Sequence, residues 1–120
     1  MDRIVKRLGA ESLPWGLKTE CCGASLTLTR PDIVNKLSHR ILASAKNMGA
    51  DCIVVACPMC QMNLDMQQKA SESEYKTDLD MPIIFFTQLM GLALGLSSDT
   101  LLLKRHFTDP MPLLAGKGLK

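Results

Sequence analysis

Apolar positions along this chain recur at two different periods, and their alternation predicts helices and strands in turn. Ile4, Val5 and Leu8 share one helical face, and Gly9 ends that pattern. Residues 11–20 contain Pro14, Trp15 and Gly16 and read as an extended stretch and loop leading into Cys21-Cys22-Gly23. The strongest helical signal follows. Ile33, Val34, Leu37, Ile41, Ala45 and Met48 form one stripe at helical spacing. Thr29, Pro31 and Asp32 predict a capping box at its start, with Thr29 as N-cap, and Gly49 predicts a left-handed C-terminal cap. His39 falls opposite the stripe, on the face expected to meet solvent.

Residues 52–56 (Cys-Ile-Val-Val-Ala) are continuously apolar and rich in β-branched side chains. That is the pattern of a strand covered on both faces, and hence of a parallel sheet. It runs directly into Cys57-Pro58-Met59-Cys60, where Pro58 suits the first helical position. A polar helix with Leu64 and Met66 on its inner side is expected to about Ala70, with a loop over residues 71–80. Ile83, Ile84, Phe85 and Phe86 predict a second buried strand, and residues 88–96 a short helix. Beyond Ser97, a helical Leu101-Leu102-Leu103 precedes irregular chain broken by Pro110, Pro112, Gly116 and Gly118. The expected architecture is α/β, a small parallel sheet flanked by helices in one domain over residues 1–120.

Composition narrows the class without naming a function. At 47% hydrophobic and 22% charged residues, the chain has the apolar content for a core and is not a disordered segment. A net charge of +2 gives no strong field for nucleic acid. The longest apolar run, from Pro82 to Leu96, carries Thr87 and Gln88 and falls short of the ~20 residues of a membrane helix. With no signal-peptide-like stretch at the N-terminus, a cytoplasmic protein is expected.

Cysteine is the unusual feature. Five cysteines are too few for a disulfide-knit scaffold, which needs roughly 8–10% of its residues as Cys, and the number is odd. In a reducing compartment such clusters point to metal or redox chemistry. Cys57-x-x-Cys60 at a strand-to-helix junction brings two sulfurs within reach of one centre, where free N–H groups and the helix dipole favour thiolate. The adjacent pair Cys21-Cys22 fits a single tetrahedral ion poorly but suits a multi-iron centre, whose different irons can take neighbouring sulfurs. Gly23 would let the backbone come close. Zinc held by Cys21 or Cys22 with Cys57 and Cys60, a thioredoxin-like dithiol and unliganded thiols stay open beside the cluster. Cys52 is expected to face the other side of the strand as a structural cysteine.

These motifs resemble a known family. The segment around Cys21-Cys22-Gly23, the helix carrying Leu37-Ser38-His39-Arg40-Ile41, the run from Asp51 through Cys57 and Cys60 to Asp65, and residues 82–86 are similar to the B subunit of heterodisulfide reductase. The similarity is to its second cysteine-rich (CCG) domain, a domain shared with glycolate oxidase and succinate dehydrogenase relatives. The resemblance implies a non-cubane 4Fe–4S cluster with Cys21, Cys22, Cys57 and Cys60 at ligand positions. It implies reduction of the mixed disulfide of coenzymes M and B, with electrons arriving from the flavin-bearing A subunit of heterodisulfide reductase through its ferredoxin-like C subunit. It also implies a further cysteine upstream of the pair, and no cysteine precedes Cys21 here. The chain is therefore expected to be either the C-terminal half of a longer polypeptide or a truncated paralogue. Alone it is expected to be inactive and to hold the cluster incompletely, to take up zinc, or to stay empty.

Overall fold

Two strands of three residues each hold the centre of the computed structural model, which describes residues 1–119. In chain order the elements are α1 (Asp2–Arg7), a 3₁₀ turn (Ala24–Leu26), α2 (Pro31–Asn47), β1 (Ile53–Val55), α3 (Pro58–Met66), α4 (Gln68–Tyr75), β2 (Ile83–Phe85), α5 (Phe86–Ala93), a second 3₁₀ turn (Leu103–Arg105) and α6 (Met111–Gly116). β1 and β2 pair in parallel, with Ile53 opposite Ile83, Val54 opposite Ile84 and Val55 opposite Phe85. The sheet is thus small, parallel and flanked by helices, as the apolar runs predict. Parallel strands end on the same side, so α3 and α5 both start from one end of the sheet. That is the end where open α/β sheets place their ligands.

The main core joins Cys22 and Ala24 to Ile41, Leu42 and Ala45 of α2, Ile53 and Ile83 of the strands, and Leu64, Leu79 and Met81. Trp15 packs against it and donates its indole N–H to Ser44 Oγ at 2.9 Å. A smaller cluster of Leu92, Leu103 and Leu114 ties the C-terminal segment to α5. Among the described residues, no helix is long and apolar enough to cross a membrane.

Several local expectations are corrected. The N-cap of α2 is Arg30, without a side-chain cap, and the Arg30 guanidinium instead grips Asp32 through two hydrogen bonds of 3.0 and 2.8 Å. Gly49 does adopt the left-handed conformation, at φ 76°. Residues 71–75, read as loop, belong to α4. The reason is tertiary. Gln68 closes two hydrogen bonds with the Met81 backbone, at 2.7 and 2.9 Å, and the Glu72 carboxylate accepts the Leu79 and Asp80 N–H groups. A polar helix is thereby fixed to the chain approaching β2. His39 is accordingly half-buried rather than solvated: it stacks on Tyr75 with ring centroids 4.0 Å apart and meets Ser71 Oγ at 2.9 Å. Leu64 is buried as expected, but Met66 is exposed. The C-terminal segment, expected to be irregular, forms α6, because Leu114 has the Leu92–Leu103 cluster to cover.

Candidate metal centre

The site is assembled at the start of α3. Cys57 is the N-cap in an extended conformation, and Pro58 opens the helix with its φ already suited to it. The N–H groups of Met59 and Cys60 then point at the Cys57 sulfur. The Cys60 N–H is the main reason that Cys57 lies below the ordinary thiol range; its partial desolvation opposes this, and the Cys60 thiol and Met59 N–H assist. Cys60 behaves oppositely. Burial, together with the neighbouring Cys22 and Cys57 sulfurs, pushes it up to about 12. Cys52, just ahead of β1, is pushed up to about 11, chiefly by burial and then by Asp51.

The contrast has a direct readout in the metal-free chain. At pH 8 a pKa of about 12 leaves roughly one Cys60 in ten thousand as thiolate, the reactive form. Iodoacetamide at pH 8 is therefore expected to label the exposed Cys57 at least ~10-fold faster than Cys60 or Cys52. Between pH 8 and 10 the Cys60 and Cys52 rates should climb about tenfold per pH unit while the Cys57 rate levels off. Peptide mapping by mass spectrometry against time measures all three rates.

Opposite α3 stands the Cys21-Cys22-Gly23 turn. Cys22 is buried, and its Sγ lies 3.3 Å from Cys60 Sγ across 38 residues of sequence. Asn63, one turn beyond Cys60, holds this approach in register: its Nδ2 donates to the Cys22 carbonyl at 3.1 Å and to Ser38 Oγ at 3.0 Å. Gly23 has φ 77°, and a Cβ there would sit 2.9 Å from Leu37 Cδ1, so glycine lets the turn lie against α2. Cys21 is exposed, and its Sγ accepts the Gly23 N–H at 3.4 Å.

The structure thus brings Cys22 against Cys60, with Cys57 at the start of the same helix, and leaves Cys21 at the surface. Thiolate sulfur is the donor that iron–sulfur clusters and structural zinc both take, so the donor chemistry fits such a group. Among the described residues, no three His, Cys, Asp or Glu side chains are spaced to hold a metal ion.

Sequence reasoning missed three side chains around this end of the sheet. Gln88, in the first turn of α5, accepts the Phe85 N–H at 2.9 Å and donates to the Leu101 carbonyl at 3.0 Å, which fixes its amide orientation. Its Nε2 then meets His106 Nε2 at 3.0 Å, and Gln61, next to Cys60, reaches the same nitrogen at 3.4 Å. Both amides donate there, so the ring proton belongs on Nδ1, which is buried without a partner among the described residues. Asp65 brings its loop to α3 by accepting the Phe107 and Thr108 N–H groups, each at 2.8 Å. No local pattern signals such a long-range contact.

Comparison with known proteins identifies the family. Residues 1–65 match the CCG cysteine-rich domain, a stretch that includes both cysteine motifs. The chain belongs to the CCG cysteine-rich domain family. It is 36% identical over 117 residues to the B subunit of the ferredoxin/F(420)H(2)-dependent CoB-CoM heterodisulfide reductase of Methanosarcina acetivorans, covering 95% of this chain and 39% of that protein. It is 34% identical over 117 residues to the B subunit of the ferredoxin:CoB-CoM heterodisulfide reductase of Methanosarcina mazei, with the same 95% and 39% coverage. The 8-methylmenaquinol:fumarate reductase membrane anchor subunit of Wolinella succinogenes is 33% identical over 112 residues, covering 93% of this chain and 39% of that protein. This CCG domain spans about two fifths of the length of these curated relatives.

Proposed function

We propose that this CCG domain is part of an iron–sulfur redox subunit of the heterodisulfide reductase kind, and that Cys21, Cys22, Cys57 and Cys60 are its cluster ligands. The observation that carries the reading is the meeting of Cys22 and Cys60 at the α3 N-terminus, 3.3 Å apart, beside Cys57. Two motifs far apart in sequence supply thiols to one end of the sheet. There the Cys60 and Met59 N–H groups already favour negative charge on Cys57 sulfur. Cys21, the exposed member of the pair, joins the set when the CC turn rearranges.

The finer reading is a non-cubane four-iron cluster and a disulfide substrate of the coenzyme M–coenzyme B type. When bound, the cluster supplies single-electron chemistry, and two electrons with two protons convert a disulfide into two thiols. The A and C subunits of a heterodisulfide reductase would deliver those electrons, and a segment beyond this chain would complete the substrate site. The 36% and 34% identities to the B subunits of two heterodisulfide reductases support this assignment.

Anaerobic reconstitution with iron and sulfide, followed by gel filtration and iron and acid-labile sulfide analysis, tests the reading. The chain is expected to retain iron and sulfide together but in less than a full four-iron complement, and Cys57→Ala to retain neither. Cys52→Ala is expected to leave both unchanged and to cost about 1 kcal/mol of stability, the packing of one half-buried thiol. Equal loss in Cys52→Ala would make Cys52 a ligand. Zinc retained without sulfide would replace the cluster with a zinc site.

A further inference from the structure

We propose that the metal-free site is a thiol–disulfide exchange centre, in which Cys22 and Cys60 close as a disulfide while one small-molecule disulfide is reduced, with Cys57 as the entry thiol. This goes beyond the cluster reading and does not depend on it. The geometry is specific about the pair. Cys22 Sγ and Cys60 Sγ lie 3.3 Å apart, and a disulfide requires about 2.05 Å, so closure moves the sulfurs by little more than an ångström. The frame behind them is fixed: Asn63 ties the Cys22 carbonyl to α3 at 3.1 Å, and Ser38 ties Asn63 to α2 at 3.0 Å.

Access is equally specific. Cys22 is 2% exposed and cannot meet a substrate, whereas Cys57 is exposed at the N-cap of α3, one helical turn ahead of half-buried Cys60. The three thiols therefore form a line from solvent to core: Cys57, Cys60, Cys22.

A disulfide R–S–S–R is first attacked by the Cys57 thiolate, which forms Cys57–S–S–R and releases one thiolate RS⁻. Cys60 then attacks Cys57 Sγ, forming a Cys57–Cys60 disulfide and releasing the second RS⁻. Cys22 finally attacks Cys60 Sγ, forming Cys22–Cys60 and returning Cys57 as thiolate. In sum, the Cys22 and Cys60 thiols are oxidised, the small disulfide is reduced to two thiols, and the two protein protons pass to the departing sulfurs. A simple CxxC centre would stop one step earlier, at Cys57–Cys60. The third thiol, already in contact, moves the bond into the core.

The test uses the 120-residue chain, stripped of metal and fully reduced, with one equivalent of glutathione disulfide under argon. After an iodoacetamide quench, peptide mapping reads the products. Two of the five thiols should be lost, a Cys22–Cys60 cross-linked peptide should appear, and two glutathiones should be released per chain. Cys22→Ser should halt at Cys57–Cys60, and Cys60→Ser at glutathione on Cys57. Cys57→Ser should slow formation of the Cys22–Cys60 cross-link at least ~10-fold, since the exchange must then open at half-buried Cys60 or at Cys21, which lies outside this line. A stable Cys57–Cys60 product in the unsubstituted chain, a cross-link through Cys21, or glutathione left on the protein would overturn the proposal. The mapping of the unsubstituted chain decides without recourse to any variant.

Discussion

Gly23→Val is expected to abolish iron and sulfide retention and to lower folding stability by about 2–4 kcal/mol. Gly23 occupies φ 77°, where a β-branched residue is a steric outlier. A Cβ at this position meets Leu37 Cδ1 at 2.9 Å, Val34 Cα at 3.7 Å and Val34 Cγ2 at 3.8 Å. Leu37 can rotate away from a methyl group but not from an isopropyl group pressed against the backbone of α2. The chain must then lift the CC turn, which draws Cys22 out of the core and off Cys60. Gly49→Ala is the matched control. Gly49 has nearly the same φ, 76°, but nothing within 4 Å of its Cβ position. Strain alone should cost about 1 kcal/mol there, with metal retention unchanged. Urea unfolding of both variants beside iron analysis separates the two effects; metal loss in Gly49→Ala would show that strain, not the contact with α2, is responsible.

Asp65→Ala is expected to cost about 3–5 kcal/mol, because it strands two N–H groups that a carboxylate now satisfies. Asp65 is buried, and its two oxygens accept Phe107 and Thr108 N–H at 2.8 Å each. Released from that hold, the segment around the second 3₁₀ turn should loosen from α3, taking His106 away from Gln61 and Gln88. For a domain of this size the loss corresponds to roughly a 10–20 °C fall in Tm. Asp65→Asn should fall between the two, since its amide keeps one acceptor and presents a donor to the other N–H. Amide hydrogen exchange at Phe107 and Thr108 locates the change. Protection unaltered in Asp65→Ala would refute the assigned role.

What the residues declare locally is the cysteine-bearing half of the fold. A β-branched run ending in Cys57-Pro58 reads as a buried strand entering a helix, and a second such run at Ile83 gives it a parallel partner. Gly23 and Gly49 mark left-handed turns by the same short-range sterics. The chemistry of the cysteines, soft donors in two motifs, is likewise a property of residue type and spacing. Other features depended on residues that are neighbours only in space. Residues 71–75 are polar and look like loop until Gln68 and Glu72 find the backbone of residues 79–81. His39 looks solvated until Tyr75 arrives beside it. His106 comes to α3 because a carboxylate on that helix binds its loop 42 and 43 residues away. The pairing of Cys22 with Cys60, rather than of Cys57 with Cys60 alone, is also a matter of tertiary packing, set by Asn63 and by the close contact of Gly23 with α2. Periodicity and turn chemistry act over a few residues and are written in the sequence. Hydrogen bonds from buried side chains to distant backbone act only after the core has formed, so they become visible only in the folded chain.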